Sequence, residues 1–134
     1  MTVGTDIFMI SAEEYEGIVS DLLDELPAEF FHDLTGGVVM SDALLVPDYA
    51  RGDDLCVLGQ YKVYSGVRQI VMYKGSFDRA YPRADAAEAR EILRGVLRHE
   101  FRHHMESLGG VRGPDSLEAE DERGRREYLA RFEG

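Results

Sequence analysis

One cysteine, Cys56, is all that this chain of 134 residues carries. That excludes an intrachain disulfide framework and agrees with a reducing compartment. Basic charge is scarce as well: 15 Lys and Arg stand against 26 Asp and Glu, a formal charge of -11. A sequence-independent grip on nucleic acid needs a basic surface to displace counterions, and docking on anionic lipid needs one too. Neither nucleic acid nor membrane is expected as a partner. No apolar run approaches the roughly 20 residues of a transmembrane helix. The opening Met-Thr-Val-Gly-Thr-Asp lacks the basic stretch of a secretory signal, so the expected location is cytoplasmic. Internal repeats and low-complexity linkers are missing too. What is present suffices for a core, because 44% of the residues are hydrophobic and 31% charged. The length is that of one domain, 1–134, with residues 1–10 read as a tail or short extended piece.

Hydrophobic spacing divides that domain. Ser11 with Glu14 three residues on spells a capping box, and Tyr15, Ile18, Val19, Leu22, Leu23 and Leu26 follow at helical steps until Pro27. Beyond Gly36-Gly37 the texture turns extended, at Val38-Val39-Met40 and Ala43 to Val46. Cys56 to Tyr64 and Gln69 to Lys74 read as two strands of a hairpin around Ser65-Gly66, the second closed by Gly75. With residues 38–46 they predict at least a three-stranded sheet. From Asp85, with Glu88 three residues later, the helical period returns. It carries Ile92, Leu93, Val96, Leu97, Phe101 and Leu108 to a stop at Gly109-Gly110. Glu91, Arg94, Arg98 and Arg102 gather on the other face, an ordinary solvated surface. Pro114 opens a last helix that runs through Glu118 and Glu122 to Phe132. The expected class is α+β.

Three of the four histidines sit together in His99-Glu100-Phe101-Arg102-His103-His104. Within it lies HExxH, in the middle of the best-supported helix. Residues four apart stack one turn above the other, so His99 and His103 can present ring nitrogens to one Zn²⁺ ion. Glu100, one step round, can hold a water bound to that ion and take its proton as the water attacks a carbonyl. The two histidines share a stripe with Ile92 and Val96, at the edge of the buried face. The plain alternative is a pair of surface or core-edge histidines with a fortuitous Glu between them.

A catalytic zinc site needs a third protein ligand and an open fourth position. His32 is far upstream and reads as a surface or helix-end residue. The acids of Asp115-Ser116-Leu117-Glu118-Ala119-Glu120-Asp121-Glu122 are the candidates. If the last helix folds back antiparallel, Glu118 in its second turn reaches the metal; Asp121 follows in preference, then Asp115 and Glu122. Asp121 or Glu122 can otherwise hydrogen-bond a ligand histidine. Glu106 lies nearly on the His103 stripe, but three ligands on one straight helix strain the geometry. His104 is turned about 100° from His103, which suits packing beneath the sheet better than a place on the ion. His104 and Tyr128 are also weak candidates for steadying an oxyanion.

At Val96-Leu97-Arg98-His99-Glu100-Phe101-Arg102-His103-His104, with the preceding strand Ile70 to Gly75, the chain resembles the minimal zincin-like metallopeptidases of bacteria. The doubled histidine is specific, and over the rest of residues 11–134 the likeness is one of pattern. Many relatives continue as HExxHxxGxxD. Here Glu106 and Gly109 occupy those positions and the acids come later, from Asp115 to Glu122. The resemblance implies a zincin-like fold: a small mixed sheet packed against the HExxH helix, N- and C-terminal helices, and an edge strand along which an extended peptide can lie. Gln69 to Lys74 is the nearest candidate for that strand. The expected function is zinc-dependent hydrolysis of peptide bonds in a peptide or protein substrate, with one catalytic ion, metal ligands His99, His103 and Glu118, and Glu100 as general base. The alternative is a metal-binding interaction or regulatory module without turnover.

Overall fold

The computed structural model describes residues 9–51, 55–109 and 117–131, with the side chains of Leu117 and Glu118 outside the described part. Ser11 opens α1 (Ala12–Asp24) through a complete capping box. Its hydroxyl accepts from the Glu14 amide at 3.0 Å, and the Glu14 carboxylate accepts from the Ser11 amide at 3.1 Å. Tyr15, Ile18, Val19 and Leu22 are buried, as the spacing predicts. Beyond Pro27 a single 3-10 turn, Ala28–Phe31, carries the chain toward the sheet.

The sheet comprises β1 (Gly37–Ser41), β2 (Gly59–Tyr64) and β3 (Val67–Tyr73), in the order β1-β3-β2. β2 and β3 form the expected hairpin, with Ser65 and Gly66 both at positive φ (47° and 78°), as a tight two-residue turn demands. β1 pairs with β3 in parallel, from Gly37 opposite Gln69 to Ser41 opposite Tyr73. β3 is therefore the central strand, and Ile70 to Tyr73 are buried. That corrects the choice of Gln69 to Lys74 as the peptide-accepting strand: both its edges are already used. The edge strand on the hairpin side is β2.

Three expected strand boundaries also shift. Residues 43–46 leave the ladder, although the Leu45 amide donates to Ser76 Oγ at 2.8 Å and its carbonyl accepts from the Val57 amide at 2.8 Å. Cys56 to Leu58 precede β2 proper. Lys74-Gly75 begins a helix, α2 (Lys74–Ala80), in place of the expected stop. Gly75 serves close approach: a Cβ there would lie 2.5 Å from the Asp42 carbonyl oxygen.

α3 (Ala86–Gly109) is the long element, started by a second reciprocal cap between Asp85 and Glu88. Ala89, Leu93, Leu97 and Phe101 recur every fourth residue and join α1, Ile70, Met72 and Phe77 in one core. Arg94 does not simply face solvent, for it crosses to Glu25, the C-cap of α1, at 2.9 Å while also pairing with Glu91. α4 (Leu117–Ala130) follows. Pro114, Asp115 and Phe132, like residues 1–8, lie outside the described residues. The described residues form an α+β fold of four α-helices and a three-stranded mixed sheet.

Candidate metal centre

The α3 register delivers His99 and His103 one turn apart, their rings edge-on with centroids 5.0 Å apart. Opposite them stands Asp121, in the second turn of α4. Its Oδ2 is 3.3 Å from His99 Nε2 and 2.8 Å from His103 Nε2. One donor atom from each residue lies within 4.8 Å of the others. Ligand atoms of a tetrahedral zinc ion stand roughly 3.4 Å apart, as bond lengths near 2.0–2.1 Å require. Two imidazole nitrogens and one carboxylate oxygen are also a donor set typical of catalytic zinc, with a place left for water. The residues thus fit the ion in chemistry and in spacing. The side chains of His99 and Asp121 are 40% and 46% exposed, so the centre is open to solvent.

Glu100 behaves differently from its neighbours. It is buried against β2, and burial, reinforced by the charge of Asp121, pushes its carboxyl up to about 7; His99 and a hydrogen bond from the Tyr61 amide pull the other way. β2 comes this close because residue 59 is glycine. A Cβ at Gly59 would lie 2.7 Å from Val96 Cγ1 and 3.4 Å from Glu100 Cγ. A glycine inside a run of strand composition is the signal that marks such an approach. Gly59, Gln60 and Tyr61 line a hollow of about 250 Å³ together with His99, Glu100, His103 and Asp121.

His104 is fully buried and turned away from the His99, His103 and Asp121 cluster, toward Tyr61 and His32. Its Nε2 lies 2.7 Å from the His32 carbonyl oxygen, which can only accept, so Nε2 carries the proton. Nδ1 then accepts from the Tyr61 hydroxyl at 2.8 Å. Arg68 donates to that hydroxyl at 3.2 Å and also to Ser107. His104 is thus a bolt between α3, β2 and the 3-10 turn, the packing role expected of it. As an oxyanion donor it is ruled out by its direction. Tyr128 is also committed elsewhere: its hydroxyl accepts from the Arg51 amide at 3.0 Å and its ring packs against Tyr49.

Of the expected third ligands, the one that meets the histidine pair is Asp121. The side chain of Glu118 and all of Asp115 lie outside the described residues. Glu106 pairs with Arg102 at 3.2 Å, and Glu122 with Arg125 at 3.3 Å and Arg126 at 3.8 Å. The sign of Asp121 in the sequence is its distance from Tyr128. Seven residues are two turns within about 20°, so both fall on one face, whereas Glu118 falls about 80° round.

No family model matches the chain, and no curated protein matches it. Among solved structures, it is similar to a conserved hypothetical protein from Thermus thermophilus, with a TM-score of 0.64 and 25% identity. The likeness covers 75% of this chain and 98% of that one. It bears on the α+β architecture; the neighbour's name carries no activity.

Proposed function

We propose that this chain is a zinc-dependent metallopeptidase on a zincin-like scaffold. The observation that carries the reading is the convergence of His99, His103 and Asp121 beside a buried Glu100. His99 and His103 would hold the ion through Nε2 and Asp121 through its carboxylate. When bound, zinc polarises a carbonyl and brings the pKa of a coordinated water toward roughly 7. Glu100 accepts the proton of the attacking water and returns it to the leaving amine. A carboxyl pushed up to about 7 is suited to both tasks near neutral pH, and the Tyr61 amide fixes its orientation. An extended peptide adding to the edge of β2 would run past the hollow at Gly59 to Tyr61. The formal charge of -11 favours neutral or basic peptides over acidic ones.

The test is Glu100→Gln. One zinc per chain is expected in both proteins by elemental analysis, with hydrolysis of a peptide library reduced about 10²- to 10⁴-fold in the variant. Zinc uptake without cleavage by the wild type would instead favour the interaction module, and failure to take up zinc would end both readings.

A further inference from the structure

Along α3, Arg90, Arg94, Arg98 and Arg102 follow one another at steps of four, a stripe on one side of the helix. The first two are answered by acids of α1 and its cap. Asp21 accepts from Arg90 at 3.1 Å, and the two Glu25 oxygens accept from Arg94 at 3.0 and 2.9 Å. Glu29 is next in that series, but α1 ends before Pro27 and Glu29 sits on the 3-10 turn instead. Arg102 is held by Glu106 at 3.2 Å and Glu120 at 3.7 Å. Arg98 has no carboxylate within ion-pair distance among the described residues, and Glu25 feels its charge only from farther off. Beside this unanswered guanidinium lies a cleft of about 450 Å³, enclosed by the end of α1, the 3-10 turn and α3. Leu26, Pro27, Phe30, Phe101 and Met105 form its apolar floor, with Glu25, Arg98 and Arg102 as its charged members. Phe101 belongs to the core, and Leu26 and Phe30 pack on it, so the floor is part of the folded interior.

We infer that this cleft is a binding site for a small amphipathic carboxylate, an aliphatic or aromatic body ending in one acid group. The body covers apolar floor left in water, and the carboxylate accepts from Arg98, supplying the acid that the fold leaves out of the series. Charge complementarity fixes the head group. Glu25 is matched by Arg94 and Arg102 by two acids, so one cation remains for one negative charge. A dianionic phosphate gains less, because Glu25 stands on the same rim. Shape fixes the class: a concave site of this volume falls within the roughly 300–1,000 Å³ of small-molecule pockets. The cleft is centred roughly 130° round α3 from His99 and His103, and none of its residues belongs to the metal cluster. The inference therefore stands whether or not the chain is a peptidase.

The experiment titrates the full chain with octanoate, 1-octanol and octylammonium, three probes with one apolar body and different heads, read by backbone amide shifts in NMR. Octanoate should give saturable shifts at Leu26, Phe30, Arg98 and Phe101, and bind about 10-fold more tightly than octanol, with octylammonium weakest. Arg98→Gln should weaken octanoate about 10-fold and leave octanol unchanged. Arg98→Glu should reverse the order of octanoate and octylammonium. Arg98 is exposed, so both variants keep the fold. Equal affinity for octanoate and octylammonium, octanoate binding unchanged in Arg98→Gln, or shifts confined to other residues overturns the site. Binding there of an amidated Leu-Glu-Leu-Phe peptide but not of octanoate overturns it in favour of a protein segment. Shifts at the same residues that grow with protein concentration alone overturn it in favour of a second copy of the chain.

Discussion

α1 and α4 both lean on α3, and opposite forces hold them there. α1 buries Tyr15, Ile18, Val19 and Leu22 and adds ion pairs from Asp21 and Glu25 at its rim. Among the described residues of α4, Tyr128 alone is buried. Polar or electrostatic ties of that helix include Asp121 to His99 and His103, Glu120 to Arg102 at 3.7 Å, and Arg125 over the Tyr49 ring. Exposed ion pairs contribute little, about 0–1 kcal/mol each. The helix that builds the core is thus attached by burial. α4, which carries Asp121, buries less, so under the proposed function binding an ion and docking α4 become one event.

The largest effect that can break this comparison is on the α1 side. Leu22→Ala should cost about 3 kcal/mol of unfolding free energy in denaturant titrations, yet leave one zinc per folded chain. Loss of zinc there without loss of stability would mean that the two helices are not separately held. Asp121→Asn should do the reverse. Zinc affinity should fall about 100-fold in calorimetry, with the stability of the metal-free protein within about 0.5 kcal/mol of wild type.

Next comes pH. Glu100 has its folded-state pKa raised from 4.5 to about 7, first by burial. Its contribution to stability is therefore fully present below about 4.5 and is lost as pH rises through about 7. The metal-free wild type should lose on the order of 2 kcal/mol from this group across that window. In Glu100→Gln that part of the slope should be gone, whereas Asp121→Asn should keep much of it.

The smallest effects sharpen the contrast best, because one substitution can be made on both helices. Tyr128→Phe removes a hydroxyl that accepts from the Arg51 amide and should destabilise by about 1 kcal/mol. Tyr15→Phe removes a buried hydroxyl with no hydrogen-bond partner among the described residues, and it should be neutral or stabilising by less than about 1 kcal/mol. Thermal unfolding of the pair would read opposite signs, and equal signs would erase the distinction.

Local chemistry makes much of this legible. Both reciprocal caps, Ser11 with Glu14 and Asp85 with Glu88, are spelled by neighbours in sequence, and so is the Ser65-Gly66 turn. His99 and His103 share a face by helix geometry alone. What stays hidden depends on how elements meet. Strand order is set by long-range pairing, and the unbroken apolar run Ile70 to Tyr73 is the one hint that β3 is central. Gly75 reads as a stop because a glycine for close approach looks, in sequence, like a glycine for a turn. The choice among the acids of α4 turns on the rotation of that helix, and with Tyr128 the one buried side chain among its described residues, the seven-residue spacing to Asp121 is the faint sign it leaves.

Tyr61 grips Glu100 with its amide and His104 with its hydroxyl. A single residue of the edge strand is thereby pinned to Glu100, the proposed proton acceptor, on one side and to the interior on the other. β2 cannot slip by a residue without releasing both. Whatever aligns itself along that strand inherits its frame of reference from the pinned tyrosine, as a ruler does from its zero mark.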